Sequence, residues 1–184
     1  INFSSEEDSI DFIQQNSQNA PGRYAHNITI ENCTFNGKAN AVGMRFRQCY
    51  NITVKNCVVE SGHSLAQFIS CTGITVDGVN VKADRGIALG TSKDCVVKNS
   101  TIEAGSYGLR AEPTSTLLVE KSTIKAAEPI VVVPVSDSVV VATSCFAAVF
   151  AIAAVPASDS VVAEADDAES DSDSEAVSIS VGAD

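Results

Sequence analysis

Arginines recur in corresponding stretches of this chain: Arg45 and Arg47 in AVGMRFR, Arg85 in DRGIALG and Arg110 in YGLRAE. Asp84, Tyr107 and Glu112 lie beside them. A guanidinium is a planar fork of donors that matches a carboxylate. A strip of them on one strand face is therefore suited to hydrogen-bond an extended acidic glycan. Two carboxylates at a suitable separation on the same strip would instead suggest glycoside hydrolysis. The plainer reading is that outward strand positions are ordinarily just solvated. The candidate glycan-binding set is Arg45, Arg47, Asp84, Arg85, Tyr107, Arg110 and Glu112. No catalytic residue is assigned. His26 and His63 stand alone in the sequence with no visible triad partner. Outside the C-terminal tail no three neighbouring acids suggest a Ca2+ cage, so neither metal nor cofactor is expected.

The elements that would carry this strip are set by a repeat. NITIENCTFN, NITVKNCVVE, GITVDGVNVK, DCVVKNSTIE and TLLVEKSTIK begin at 27, 51, 73, 94 and 116, and weaker copies begin at Ser138 and Ser160. A fixed step near 22 residues is the mark of a solenoid. Within each copy apolar residues alternate, so every second side chain faces one interior. One interior column runs Ile28, Ile52, Ile74, Cys95, Leu117, Val139, Val161, and the next runs Ile30, Val54, Val76, Val97, Val119, Val141, Ala163. After a corner come Cys33, Cys57, Val79, Ser100, Ser122, Ser144, Asp166 and then Phe35, Val59, Val81, Ile102, Ile124, Phe146, Ala168. The corner itself is Asn32, Asn56, Gly78, Asn99, Lys121, Thr143, Ala165. Asn and Gly tolerate a left-handed backbone there, and stacked Asn side chains can hydrogen-bond along the axis. A further strand region, from Ala41, Leu65, Gly86, Tyr107, Pro129, Val149 and Ala176, gives each rung about three short strands.

Residues 1–26 are irregular or a partial rung. Ile1–Phe3 suits a strand end, Ser9–Ile13 alternates like a strand with a short capped helix as its competitor, and Gln14–Gly22 reads as a loop. The rungs occupy 27–184, with a shift in composition over 127–184, where Val, Ala, Ser, Asp and Glu dominate and Lys, Arg, Asn and Gln vanish. All 12 Lys and Arg lie at or before Lys125, whereas eight of the 23 acids follow Ala163. Without a basic patch to neutralise phosphates, nucleic-acid binding is disfavoured. No apolar run approaches the ~18 residues of a membrane span. The tail acids from Asp166 to Glu175 read as a solvated loop rather than a calcium motif. The chain opens neither with Met nor with a signal peptide, which suits a mature, excised or engineered segment. Neither end has an evident cap, so end-to-end or edge association is expected. Six cysteines without a C-x-x-C pair fit no zinc pattern. Cys33 with Cys57, and Cys49 with Cys71, share columns on adjacent rungs, where free buried thiols are favoured over disulfides.

The N-I-T-V-x-N-C-x-V rung resembles the repeats of right-handed parallel β-helix proteins, the pectate-lyase-like superfamily. That resemblance implies an all-β, right-handed parallel β-helix of about seven 21–24-residue rungs and a location outside the cell or at its surface. It leaves activity open, because this fold carries lyases, glycosidases, epimerases, adhesins and phage spikes. KADRGIALGTS, from Lys82 to Ser92, is similar to a polygalacturonase-type segment in which an Asp-Asp pair precedes Ile-Ala. Here Asp84 matches the first Asp and Arg85 replaces the second, so the acid pair is missing. Where such enzymes carry Gly-His-Gly one rung later, this chain has Ser106-Tyr107-Gly108, and Gly62-His63-Ser64 is a partial echo one rung earlier. Pectate-lyase-type chemistry would need acids for Ca2+ and an Arg or Lys to take a proton from a uronate. Two functions therefore stand: a non-catalytic scaffold or surface module that binds polysaccharide, or a polysaccharide lyase or glycoside hydrolase acting on acidic glycans.

Overall fold

The computed structural model describes residues 1–17, 24–112 and 114–133 in full, and the backbone of three later strands. In chain order the strands are β1 (Asn2–Ser4), β2 (Asp11–Asn16), β3 (His26–Glu31), β4 (Thr34–Asn36), β5 (Val42–Arg47), β6 (Tyr50–Lys55) and β7 (Val58–Ser61). They continue with β8 (Ser64–Ile69), β9 (Thr72–Asp77), β10 (Asn80–Ala83), β11 (Ile87–Gly90), β12 (Lys93–Lys98), β13 (Thr101–Ala104) and β14 (Tyr107–Ala111). The last are β15 (Leu117–Glu120), β16 (Thr123–Lys125), β17 (Glu128–Val132), β18 (Val140–Ser144), β19 (Val161–Ala163) and β20 (Val177–Val181). Every third strand stacks on its predecessor. The first sheet is ordered β1-β4-β7-β10-β13-β16, the second β17-β14-β11-β8-β5-β2, and the third β19-β20-β18-β15-β12-β9-β6-β3. The pairs from β1 to β18 are parallel, as in Ile52 beside Ile74 and Val81 beside Ile102. The chain thus winds a three-sided parallel β-helix of about five turns.

The four interior columns stack as their alternation requires. Ile52, Val54, Cys57 and Val59 are buried together with their counterparts on neighbouring rungs, and the second sheet adds Met44, Phe46, Leu65, Phe68, Ile87 and Leu109. Phe46 stacks on Phe68 with centroids 5.9 Å apart, so like lies on like even for the largest side chains. The corner column is left-handed throughout the described turns: Asn32, Asn56, Gly78, Asn99 and Lys121 have φ of 55°, 50°, 65°, 51° and 45°. A second left-handed column lies at the start of the third-sheet strands, in Asn27, Asn51, Gly73 and Asp94. The Asn–Asn hydrogen bond forms in that column and not in the corner where it was expected. Asn51 Nδ2 donates to Asn27 Oδ1 at 3.1 Å. The first Asn of each rung is therefore as structural as the second.

Cys33, Cys49, Cys57, Cys71 and Cys95 are free and buried, whereas Cys145 lies outside the described residues. Burial pushes the Cys71 thiol up to about 11 and that of Cys95 up to about 12, which suppresses the reactive thiolate. Serines replace thiols in later turns, and each hydroxyl accepts from the preceding rung's backbone. Ser92 Oγ accepts from Cys71 N at 3.1 Å, and Ser100 Oγ from Val79 N at 3.2 Å.

Four expectations need correction. Gln14–Asn16 belongs to a strand, paired with Arg45–Arg47, and not to a loop. The coil has about five turns rather than seven, and the register changes after the fifth copy: Leu117 pairs with Val141, not Val139. Thr143, assigned to the corner, sits inside β18 opposite Val119. A β-branched residue resists the left-handed bend that Asn or Gly accepts. Finally, β20 joins β18 antiparallel and β19 joins β20 antiparallel, so those two strands do not prolong the parallel stack. The acidic stretch from Asp166 to Glu175, the strand region from Val149 and the segment 18–23 lie outside the described residues.

Candidate functional site

The second sheet carries the arginines on its outer face, and its register sorts them into rows. Gln14, Arg45, Gln67, Ala88, Arg110 and Val131 lie side by side on successive strands. Their neighbours along each strand, such as Met44, Phe46, Leu109 and Ala111, are buried. The period-2 alternation thus points the row outward. A parallel row, Asn16, Arg47, Ile69 and Gly90, flanks it, with Glu112 next to Gly90. On the other flank Asp11, Val42 and Ser64 are in register. Arg85 and Tyr107 continue that line, since Arg85 N donates to His63 O and Gly86 N to Tyr107 O.

Each candidate residue finds a distinct setting. Arg45 Nη2 is 3.3 Å from Asp11 Oδ1, and Arg110 Nη2 is 3.4 Å from Glu112 Oε1. Arg85 Nε lies 3.4 Å from Asp84 Oδ2, near enough for attraction but not aligned as a hydrogen bond. Arg85 also rests on the face of the buried Tyr107 ring, 5.6 Å from its centroid, a cation–π contact. Arg47 makes no ion pair among the described residues. The Nε atoms of Arg45, Arg85 and Arg110 are all buried without a hydrogen-bond acceptor, as is Ser64 Oγ. These Nε atoms are covered, so contact with a ligand on this face falls to the exposed remainder of each side chain, which is 27 %, 41 % and 39 % exposed for Arg45, Arg85 and Arg110.

The residue that sequence reasoning missed is His63. Arg85 Nη1 donates to His63 Nε2 at 3.2 Å. Because an arginine can only donate, that imidazole nitrogen must be the acceptor, and the ring is neutral with its proton on Nδ1. Nδ1 is 3.9 Å from Asp84 Oδ2, the same oxygen that faces Arg85 Nε. Burial pushes the His63 pKa below its ordinary value, Arg85 adds to this, and Asp84 opposes it. His63 is not a lone histidine in the fold. The signal was present in the sequence, since the period of about 22 residues places Gly62-His63-Ser64 over Asp84-Arg85-Gly86.

Chemically, the face offers guanidinium forks, an amide, a neutral imidazole and an aromatic plane. Its acids, Asp84 and Glu112, are each engaged with an arginine, and no group of three or more His, Cys, Asp or Glu converges among the described residues. No described helix is long and apolar enough to cross a membrane. An open depression of about 490 Å3 lies around the corner on the first sheet, between Lys82, Glu103, Gly105 and Lys125, and not over the arginines. No curated protein and no solved structure matches the chain. Residues 12–149, most of the 184, match the family described as right handed beta helix region. With a three-sided parallel coil and stacked interior columns over the same residues, the chain belongs to the right-handed β-helix family.

Proposed function

We propose that this is a non-catalytic β-helical module that holds an extended acidic polysaccharide against the outer face of its second sheet. The observation that carries the reading is the row from Arg45 through Gln67 and Ala88 to Arg110, in register on the outer face with both arginine side chains partly exposed. The row spans three rung steps, about 14 Å at ~4.8 Å per strand, a length suited to a polymer. Ala88 leaves a low point between Gln67 and Arg110 where a sugar ring can lie close to the sheet. Such a ligand places the module outside the cell or at its surface.

The test is retention of the full chain on immobilised polygalacturonate against neutral dextran. The acidic polymer should retain the protein and neutral dextran should not. The Arg45→Ala, Arg110→Ala double variant should lose about tenfold or more in affinity, in line with two charge-assisted contacts. Equal retention on both polymers, or an unchanged double variant, would overturn the reading.

A second reading is favoured by the neutral His63 beside Asp84 and Arg85: a polysaccharide lyase or glycoside hydrolase at that corner. Release of unsaturated or reducing sugar from acidic polymers, abolished in His63→Gln, would establish it in place of the first.

A further inference from the structure

We propose that His63, Asp84 and Arg85 form an acid-operated latch, which holds the Arg85 guanidinium while His63 is neutral and frees it for an anionic polymer once His63 is protonated. This inference rests on the binding face described above and adds its control. Two contacts hold Arg85 at neutral pH. Its Nη1 donates to His63 Nε2 at 3.2 Å, and its Nε sits 3.4 Å from Asp84 Oδ2. Protonation of His63 removes the first and weakens the second. A proton on Nε2 eliminates the acceptor and sets two cations against each other. The imidazolium Nδ1, already 3.9 Å from Asp84 Oδ2, then competes for the oxygen that Arg85 was using. Arg85 keeps only the Tyr107 ring beneath it, a platform that leaves its donors available.

Charge counting points the same way. With His63 neutral, Asp84 and Arg85 cancel, and the cluster has no net attraction for an anion. With His63 charged, the cluster is cationic by one unit. The other groups around His63 do not reverse this. Arg45 is engaged with Asp11, and Lys38 with Glu6. The Ala39 backbone, which bonds the imidazole, does not titrate. Burial and Arg85 hold the His63 pKa below 6.5, so the latch stays closed at neutral pH and opens only on acidification. The stability sign is consistent. The fold favours neutral His63, so its contribution is complete above the unfolded value and declines as pH falls through the lower folded value.

The experiment measures binding of the full chain to dextran sulfate, whose charge does not titrate in this range, from pH 8 to pH 4.5 at constant ionic strength. Neutral dextran and His63→Gln serve as controls. The wild type should gain about five- to tenfold in affinity as His63 charges, a shift of one protonation linkage. His63→Gln, which keeps an acceptor for Arg85 but cannot gain a proton, should lack that gain while retaining the general drift from the protein's other acids. Nitrogen NMR of the Arg85 side chain, without polymer, should show its Nη protons protected at pH 8 and exchanging freely at the acid end. Identical pH profiles for wild type and His63→Gln would overturn the latch even if binding stands. Absence of binding at every pH would overturn the binding face, and the NMR readout then decides the latch separately: protection that does not change with pH refutes it.

Discussion

The outer faces of the second and third sheets are built from the same number of turns and treat charge in opposite ways. On the third sheet Glu31, Lys55, Asp77, Lys98 and Glu120 are in register and alternate in sign. Lys55 Nζ reaches Glu31 at 3.9 Å, Lys98 Nζ reaches Asp77 at 3.7 Å, and Asn99 Nδ2 donates to Asp77 Oδ1 at 2.8 Å. Glu31 with Lys55, and Asp77 with Lys98, are thus paired between equivalent positions of neighbouring rungs. On the second sheet only Arg45 pairs across rungs, with Asp11, whereas Arg85 and Arg110 face acids of their own rung, Asp84 and Glu112, and Arg47 makes no ion pair among the described residues. The third-sheet ladder opposes slippage, because a shift by one rung brings like charges together. On the proposed reading, the partly exposed arginines of the second sheet are what an acidic polymer meets.

Three substitutions break or sharpen that contrast. Both faces rest on one core, so removing Phe68, which is fully buried under the arginine row and stacked on Phe46, should collapse the difference between them. Phe68→Ala is expected to cost about 3–5 kcal/mol in denaturant unfolding. It should also raise hydrogen exchange on both sheets together. A loss under 1 kcal/mol would show that the rungs do not share a continuous core.

The corner that feeds the first sheet from the third comes next. Asn56 has φ of 50°, so Asn56→Ala should cost about 1–2 kcal/mol, whereas Asn56→Gly should lose much less. Equal losses for the two variants would assign the asparagine's value to its side chain instead. The smallest effect is expected from the ladder. Lys55 and Lys98 are roughly half and one-third exposed, so Lys55→Ala with Lys98→Ala should shift stability by about 1 kcal/mol or less. Binding to acidic polymer should be unchanged. A fall in binding comparable to that of the Arg45→Ala, Arg110→Ala variant would erase the distinction between the faces.

What was legible in the sequence was whatever repeats. Ile28, Ile52, Ile74 and the columns beside them follow from a period near 22 residues and an alternation of 2, and the left-handed corner follows from Asn32, Asn56, Gly78 and Asn99. Each rung buries its apolar side only against an equivalent rung, so the stack is encoded in every copy. Arg45, Arg47, Tyr107 and Arg110 fall on strands of the second sheet for the same reason. The end of the parallel coil was not legible, because β20 and β19 add antiparallel, and an alternation of apolar residues reads the same in either strand direction.

The interactions of the candidate site belonged to the tertiary structure. Asp11 with Arg45 crosses a segment without a period, and the meeting of His63 with Asp84 and Arg85 depends on which way three side chains turn at a corner. Stacking fixes the backbone of a rung to within the spacing of strands. Which nitrogen donates, which oxygen is shared and which donor is left without a partner are decided by side-chain directions on the outer face, where the repeat imposes no rule. The sequence by itself determined the coil and its corners. Only the folded structure decided that Arg85 is held by a neutral histidine and that the donors beside it remain unanswered.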